Sequence, residues 1–143
     1  MRRVRGTLLL VCLVFALPCE SNGDTTTTDK RIDLLEVEQQ IIKRTNAERS
    51  RHGLPVLATD VDLMKSARSH TAWMARQTVL RHTTDPVAEN IAKGQATPTQ
   101  AVRAWMNSSG HRANILSSSY SRIGVAAYRG PDGRVYWCQQ FLR

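Results

Sequence analysis

The final strand-like segment of this 143-residue chain limits the choice of fold more than any other feature. Residues 134–142 are rich in aromatic and aliphatic side chains, which favour a β-strand. One face of that strand carries Val135, Trp137, Gln139 and Phe141, and the other carries Tyr136, Cys138, Gln140 and Leu142. Both faces are largely apolar, which is typical of a strand inside a sheet that is covered on two sides. We therefore expect a sheet enclosed between two helical layers.

A β-hairpin is predicted at this end of the chain. Residues 123–128 form a second strand-like segment, and Gly130-Pro131-Asp132-Gly133 lies between the two segments as a strong turn signal. The segments upstream have the apolar spacing of helices. Helices first and strands last predict an α+β domain.

The ends of the helices are predicted from capping residues. Asp33 and Glu36 form a candidate capping box for the first helix, whose alternating charges are typical of a solvated face. Thr97, Pro98 and Gln100 give the third helix the clearest start signal in the sequence. Residues 80–99 are predicted to be a long irregular connection, of the kind that often carries function. The predicted helices cover residues 33–51, 60–79 and 97–110, followed by a short helical turn at 111–116.

The chain begins with the pattern of a secretory signal. Arg2, Arg3 and Arg5 precede an apolar run at residues 7–17, which is too short for a membrane-spanning helix. The predicted organisation is a signal peptide at residues 1–23, a threonine-rich polar linker at 24–31 and the folded domain at 32–143. We accordingly expect a secreted, extracellular protein.

Cysteine is sparse in this sequence. Cys12 and Cys19 lie in the predicted signal, so that Cys138 is the one cysteine after residue 23. Lipidation of Cys19 is an alternative way to process the signal, although Pro18 fits that pattern poorly. Cys138 is predicted to be a buried thiol rather than an intermolecular bridge, and a monomer is expected.

The charge balance is basic and allows two interpretations. The whole chain carries a formal net charge of +8, and the part after residue 23 carries +6. This balance either serves solubility or attracts anionic surfaces such as phospholipid headgroups and cell-wall polymers, which leaves peripheral membrane contact open. No basic run is interleaved with aromatic residues, so no binding of nucleic acid is expected.

Several short motifs occur in an order and at a spacing that together resemble the CAP superfamily. This superfamily contains the cysteine-rich secretory proteins, antigen 5 and plant pathogenesis-related proteins. The resemblance covers residues 41–141 and implies a three-layer α-β-α sandwich with a further strand near residues 89–92. The absence of disulfide pairs is similar to the bacterial branch. The motifs are Asn46-Ala47-Glu48-Arg49, His70-Thr71-Ala72-Trp73-Met74-Ala75, Glu89-Asn90-Ile91 and Tyr136-Trp137-Cys138-Gln139, together with residues 105–112.

The resemblance also implies a cleft lined by two histidines and two acidic residues. His82, Glu89 and His111 match the two histidines and one of the acids. The second acid of the pattern falls on Ser108, with Asn107 beside it. The sequence therefore departs from the four-residue pattern, and the candidate cleft consists of His82, Glu89, His111, Ser108 and Asn107.

The candidate cleft residues allow three kinds of chemistry. Two imidazoles and a carboxylate are a recognised ligand set for Zn²⁺, so His82, Glu89 and His111 are candidate metal ligands. In the second interpretation these side chains only bond one another and hold the 80–99 connection in place. In the third, Ser108 acts as a nucleophile with a histidine and an acid, although local bonding to the backbone is the simpler role for a serine near a helix end. His70 is interpreted as a hydrogen-bonded core histidine in preference to a residue of the cleft.

Three functions follow from these alternatives. The favoured one is a non-enzymatic extracellular module that binds a lipid, a sterol or a cell-surface component. The second is a metal-dependent or serine-type hydrolase at the same cleft, and the third is a structural or interaction domain. Enzymatic activity is left undecided, with the balance against it, because a catalytic zinc site also needs a general base and serine stands where a second acid would help.

Overall fold

The computed structural model describes residues 34–143. The predicted signal peptide and linker, together with Cys19 and Asp33, lie outside the described residues. Within residues 34–143 the sheet has four strands. The elements in chain order are α1 (Glu36–Arg51), β1 (Ala58–Thr59), α2 (Val61–Gln77), β2 (Ala88–Lys93), α3 (Pro98–Met106), α4 (Ser109–Ile115), β3 (Arg122–Arg129) and β4 (Val135–Leu142).

Strand β4 occupies the centre of the sheet, as its two apolar faces predict. It pairs antiparallel with β3 on one side and with β2 on the other, and β1 adds a short parallel edge to β3. Trp137 and Phe141 belong to one buried cluster, whereas Tyr136 and Cys138 belong to a second cluster on the opposite face. The predicted hairpin and its two-sided burial are confirmed.

Helices cover both faces of the sheet and complete a three-layer α-β-α sandwich. Helix α2 packs Ala67, Met74 and Ala75 on one face. Helices α1, α3 and α4 pack Ile41, Trp105 and Ile115 on the other face. Burying a large apolar side chain contributes about 1.5–3 kcal/mol, so these contacts dominate the stability of the layers. Among residues 34–143 no helix combines the length and the apolar character needed to cross a membrane.

Two predicted helix starts are confirmed in atomic detail. The Asp60 carboxylate accepts hydrogen bonds from the backbone N–H groups of Asp62 and Leu63, at 3.0 and 2.9 Å, and α2 follows directly. Thr97 Oγ1 accepts from the Gln100 N–H at 3.3 Å, and Pro98 is the first residue of α3. These side chains satisfy backbone donors that the first turn of a helix leaves open.

Other predicted boundaries are wrong. Helix α1 begins at Glu36 rather than at residue 33, because the Leu35 N–H donates to Glu38 Oε2 at 2.9 Å and so fixes the start three residues later. Gly110 does not end the third helix, which stops at Met106; Gly110 lies inside α4 instead. The 80–99 segment contains β2, which only the CAP resemblance implied.

Two charged side chains of α1, Glu38 and Arg49, are deeply buried, although a solvated face was predicted for this helix. Arg49 is 1% exposed, and its guanidinium donates to four backbone carbonyls. These belong to Pro55, Ile115, Ser117 and Tyr120, at distances of 2.9, 2.8, 2.8 and 3.2 Å. Burial lowers the pKa of Arg49 from its ordinary value. The side chain therefore joins α1 to the segment between α4 and β3.

Candidate functional site

A buried carboxylate is the centre of the candidate site. Glu89 lies on β2 with its side chain 2% exposed. Its Oε2 accepts from His82 Nδ1 at 2.9 Å and from the Thr83 N–H at 3.0 Å. Its Oε1 accepts from Gln140 Nε2 at 3.1 Å and from Cys138 Sγ at 3.4 Å. Such partners are what a buried charge requires, since an unpaired carboxylate would be costly to remove from water.

His82 is held by Glu89 and yet remains open to solvent. Its side chain is 59% exposed and extends from the segment between α2 and β2. Because Nδ1 donates to the carboxylate, Nε2 on the other side of the ring remains available to a ligand. The same segment is fastened at Asp85, whose Oδ2 accepts from Ser66 Oγ at 3.1 Å.

His70 is a further member of the site, although the sequence favoured a core histidine over a residue of the cleft. Its Nε2 donates to the Arg81 carbonyl at 2.8 Å, so the predicted hydrogen bond of this histidine exists. The same nitrogen lies 3.6 Å from Glu89 Oε1, and the ring stacks on Trp73 with centroids 5.7 Å apart. The sequence signal for its role was the position of a histidine on the apolar face of α2, the helix that precedes the segment carrying His82.

His111 lies near His82 but is not bonded to Glu89. Burial, and then the positive charge of His82, lower the pKa of His111 from its ordinary value. The structure therefore brings the two imidazoles within electrostatic range of each other. Among residues 34–143 no hydrogen bond joins the Glu89 carboxylate to the His111 ring. The carboxylate instead accepts a hydrogen bond from His82 and lies 3.6 Å from His70 Nε2.

An amide network on the opposite face of the sheet positions α4 and thereby His111. Asn90 Nδ2 donates to the His111 carbonyl at 3.1 Å and to Gln139 Oε1 at 3.2 Å. Asn90 Oδ1 accepts from Asn114 Nδ2 at 2.9 Å. Gln139 Nε2 continues the network to Thr45 Oγ1 on α1 at 2.6 Å. Asn90 and Asn114 thus hold β2 and α4 together.

Asn107 and Ser108 are not brought to the carboxylate. Asn107 follows the last residue of α3 and lines grooves beside that helix, and Ser108 precedes α4 without a capping bond from its hydroxyl. In the part of the chain that the structure describes, no hydrogen bond connects either side chain to Glu89 or to the two cleft histidines. The relay of serine, histidine and acid is therefore not assembled.

The arrangement of His82, Glu89 and His111 does not match a three-ligand zinc site. Within residues 34–143 no three side chains of His, Cys, Asp or Glu are arranged as a group that could hold a metal ion. The reason lies in Glu89, whose two oxygens already accept from His82, Thr83, Gln140 and Cys138. A three-ligand site with Glu89 as a direct ligand does not fit this arrangement, and zinc binding stays a prediction.

The fold and the site define an α-β-α domain with a histidine–glutamate cleft beside one strand of its sheet. The family model for the cysteine-rich secretory protein family, CAP, matches residues 42–141. The chain belongs to the CAP family. Both the resemblance seen in the sequence motifs and the predicted three-layer fold are confirmed.

Several similar proteins come from bacteria, and one of them is described as extracellular. YkwD from Bacillus subtilis is 35% identical over 142 aligned residues, which cover 87% of this chain and 54% of YkwD. An extracellular protein with an SCP domain from Bacillus anthracis has a TM-score of 0.67 and 30% identity, covering 74% of this chain and 40% of that chain. An outer surface protein from Borrelia burgdorferi has a TM-score of 0.69 at 20% identity, covering 77% and 94%, and shares the fold alone. The chain thus spans about half the length of the Bacillus relatives.

Proposed function

We propose that this protein is an extracellular ligand-binding module and that the cleft at His82, Glu89 and His111, extended by His70, is its recognition site. The observation that carries the proposal is the contrast between a 2% exposed carboxylate and the 59% exposed histidine that it orients. A side chain fixed in one orientation by a buried partner is ready to bind without a further loss of freedom. The similar extracellular proteins and the predicted signal peptide support its location outside the cell.

The chemistry of the cleft favours a polar group of the ligand. His82 Nε2 accepts a hydrogen bond when the ring is neutral and donates one when the ring is protonated. The lowered pKa of His111 favours its neutral form beside it. A groove of about 440 Å³ adjoins the site and is lined by His70, Trp73 and Thr83 among others. A hydroxyl-bearing or anionic group of a lipid, sterol or cell-surface component would suit these partners.

Binding is favoured over catalysis because no activated nucleophile from residues 34–143 lies in the cleft. The thiol of Cys138 contacts Glu89 at 3.4 Å, but burial and the adjacent carboxylate raise its pKa well above the ordinary value. A protonated thiol is inert as a nucleophile. No serine hydroxyl within residues 34–143 is bonded to His82 or His111.

A divalent cation bound by the two histidines is the second candidate. The Glu89 hydrogen bond to His82 Nδ1 is the kind of contact that orients a metal-binding imidazole and leaves its other nitrogen for the ion. In this arrangement His82 and His111 supply the protein ligands, and Glu89 acts behind His82 instead of touching the ion. Water or the bound ligand would complete the coordination.

The test of the binding proposal compares two histidine variants. The purified protein is sedimented with liposomes containing phosphatidylglycerol or a sterol, and separately with purified Bacillus subtilis cell walls. His82→Ala/His111→Ala is expected to weaken binding at least tenfold, whereas His52→Ala, on an exposed histidine at the end of α1, leaves it unchanged. Full binding by the double variant would exclude the cleft.

The metal candidate is tested separately with the same proteins. Calorimetric titration with zinc chloride is expected to give saturable one-to-one binding that the double variant loses and His52→Ala keeps. Zinc binding that survives in the double variant would reject the two-histidine site.

A further inference from the structure

A second polar groove lies between α3, the end of β2 and the β3–β4 turn. It has a volume of about 590 Å³. Its basic side chains come from three separate elements: Lys93 from β2, Arg103 from α3 and Arg134 from the hairpin turn. Three amides complete the polar lining, and no acidic side chain is among the lining residues. The remaining lining residues are Gly94, Gln95, Gln100, Ala104 and Asn107.

The positive charge of this groove is not balanced within the described part of the chain. Lys93 is neutralised by Asp132, with Nζ 3.0 Å from Oδ2. Arg103 and Arg134 are both exposed, and no hydrogen bond or ion pair is formed by either guanidinium with residues 34–143. Two arginines that line one groove, with no carboxylate among its described lining residues, offer a site for an anion, because the planar guanidinium matches phosphate oxygens in a bidentate manner.

The lining also indicates which anion fits. Gly94 and Ala104 are the only apolar lining residues, so the groove offers no surface for an acyl chain. Gln95, Gln100 and Asn107 line the groove with side-chain amides, and the Gln100 Oε1 already accepts from the Ala96 N–H at 2.8 Å. An amide NH₂ group donates hydrogen bonds, and a hydroxyl oxygen on a bound molecule is a suitable acceptor for them. Phosphate and hydroxyl groups together describe a polyol phosphate.

The groove is separate from the histidine–glutamate cleft. Glu89 and Lys93 lie four residues apart on β2, about 13 Å along an extended strand. The groove is open to the α3 side through Arg103 and Asn107, whereas the Glu89 side chain faces α2. Occupation of one site therefore leaves the other free.

We propose that Arg103 and Arg134, with the amides of Gln95, Gln100 and Asn107, form a binding site for a polyol phosphate such as a glycerol phosphate unit of an extracellular polymer. The arginines bind the phosphate, and the amides contact the hydroxyl groups next to it. The site explains why two arginines are left unpaired on the same groove.

The test measures phosphate binding by the whole purified protein. Glycerol 3-phosphate and a synthetic glycerol phosphate oligomer are titrated by calorimetry and by the NMR shifts of the side-chain amides. Arg103→Gln/Arg134→Gln is expected to weaken saturable binding at least tenfold. The matched control Lys43→Gln/Lys65→Gln removes the same charge from two other exposed positions and is expected to stay within twofold of the parent.

Each alternative result is decisive. Equal weakening by the control would show that net charge alone attracts phosphate, and no saturable binding to either probe would also overturn the site. Binding to phosphatidylglycerol vesicles without binding to the soluble probes would assign the groove to membranes instead. Because the site is separate from the cleft, His82→Ala/His111→Ala is expected to keep full phosphate binding whether or not the cleft functions as proposed.

Discussion

Neighbouring residues of β2 show how differently two polar side chains can be used. Glu89 and Asn90 are consecutive, so their side chains leave opposite faces of the sheet. Glu89 meets His82 and Thr83 from the segment between α2 and β2, and His82 is exposed. Asn90 is fully buried, and its partners lie on α4 and β4.

One strand therefore carries both a residue of the candidate site, Glu89, and a residue that only holds elements of the fold together, Asn90. We call the hydrogen-bonded group of Asn90, Asn114 and Gln139 the clamp. The Glu89 face holds a charge whose partners connect to solvent, as a site that meets a ligand requires. The Asn90 face holds neutral amides that bond only to other parts of the fold, where satisfied partners stabilise one arrangement. Adjacent polar residues in one motif therefore need not share a function, because alternation along a strand sends them to different layers.

Replacing Asn90 is expected to give the largest loss of stability. Asn90→Ala removes three hydrogen bonds at once and leaves Gln139 Oε1 without a partner among the described residues, whereas Asn114 Nδ2 keeps its bond to the Glu89 carbonyl at 3.3 Å. Leaving buried polar groups unpaired costs about 1–3 kcal/mol per group, and we expect the free energy of unfolding to fall by about 3 kcal/mol. Urea denaturation measures this loss. Asn107→Ala, at an exposed position, is the control and should change stability by less than about 0.5 kcal/mol.

Replacing Glu89 is expected to cost less stability and to alter the cleft more. Glu89→Gln keeps the shape of the side chain but offers one acceptor oxygen in place of two. One of the donors from His82, Thr83 and Gln140 must then face an NH₂ group. We expect a loss of about 1–2 kcal/mol in urea denaturation, together with a changed NMR signal of the His82 ring. A loss larger than that of Asn90→Ala would contradict the division between site and clamp.

The sequence predicted the parts of the fold that depend on local patterns. The two-sided burial of β4 followed from alternation, and the start of α3 followed from Thr97. Strand β1 was not predicted, because two residues are too few for a periodic signal. Arg49 was included in a solvated face because its partners, the carbonyls of residues 115–120, are distant in the sequence.

The candidate site was predicted less completely for a related reason. The motifs identified His82 and Glu89, which the structure joins at 2.9 Å. The contact between His70 and Glu89 depends on how the segment between α2 and β2 returns past α2, and no local pattern encodes that path. Ser108 and its neighbour Asn107 were assigned from the family pattern; in the structure they lie in the turn between α3 and α4, and neither side chain forms a hydrogen bond with Glu89 among residues 34–143.

The stability of the protein is expected to depend on pH through His111. The pKa of His111 is lowered in the folded protein, first by burial and then by the charge of His82. The unfolded chain therefore binds more protons than the folded chain at pH values below the ordinary pKa of 6.5, and stability decreases as the pH falls through this range. Above that value the contribution is fully present. His111→Gln is expected to flatten the decrease in a series of urea denaturations between pH 7.5 and about 5. An unchanged slope would show that other groups cause it.

Replacing His82 is expected to cause a small change in the pKa of His111. Because the charge of His82 is the second cause of the lowered His111 pKa, His82→Ala should raise that pKa only part of the way to its ordinary value and leave the effect of burial in place. An NMR titration of the His111 ring protons measures the shift, and His52→Ala serves as the control. A His111 pKa unchanged by His82→Ala would mean that the two rings do not act together. In that case His82 and Glu89 would form the site without α4, and the Asn90 network would have no part in positioning it.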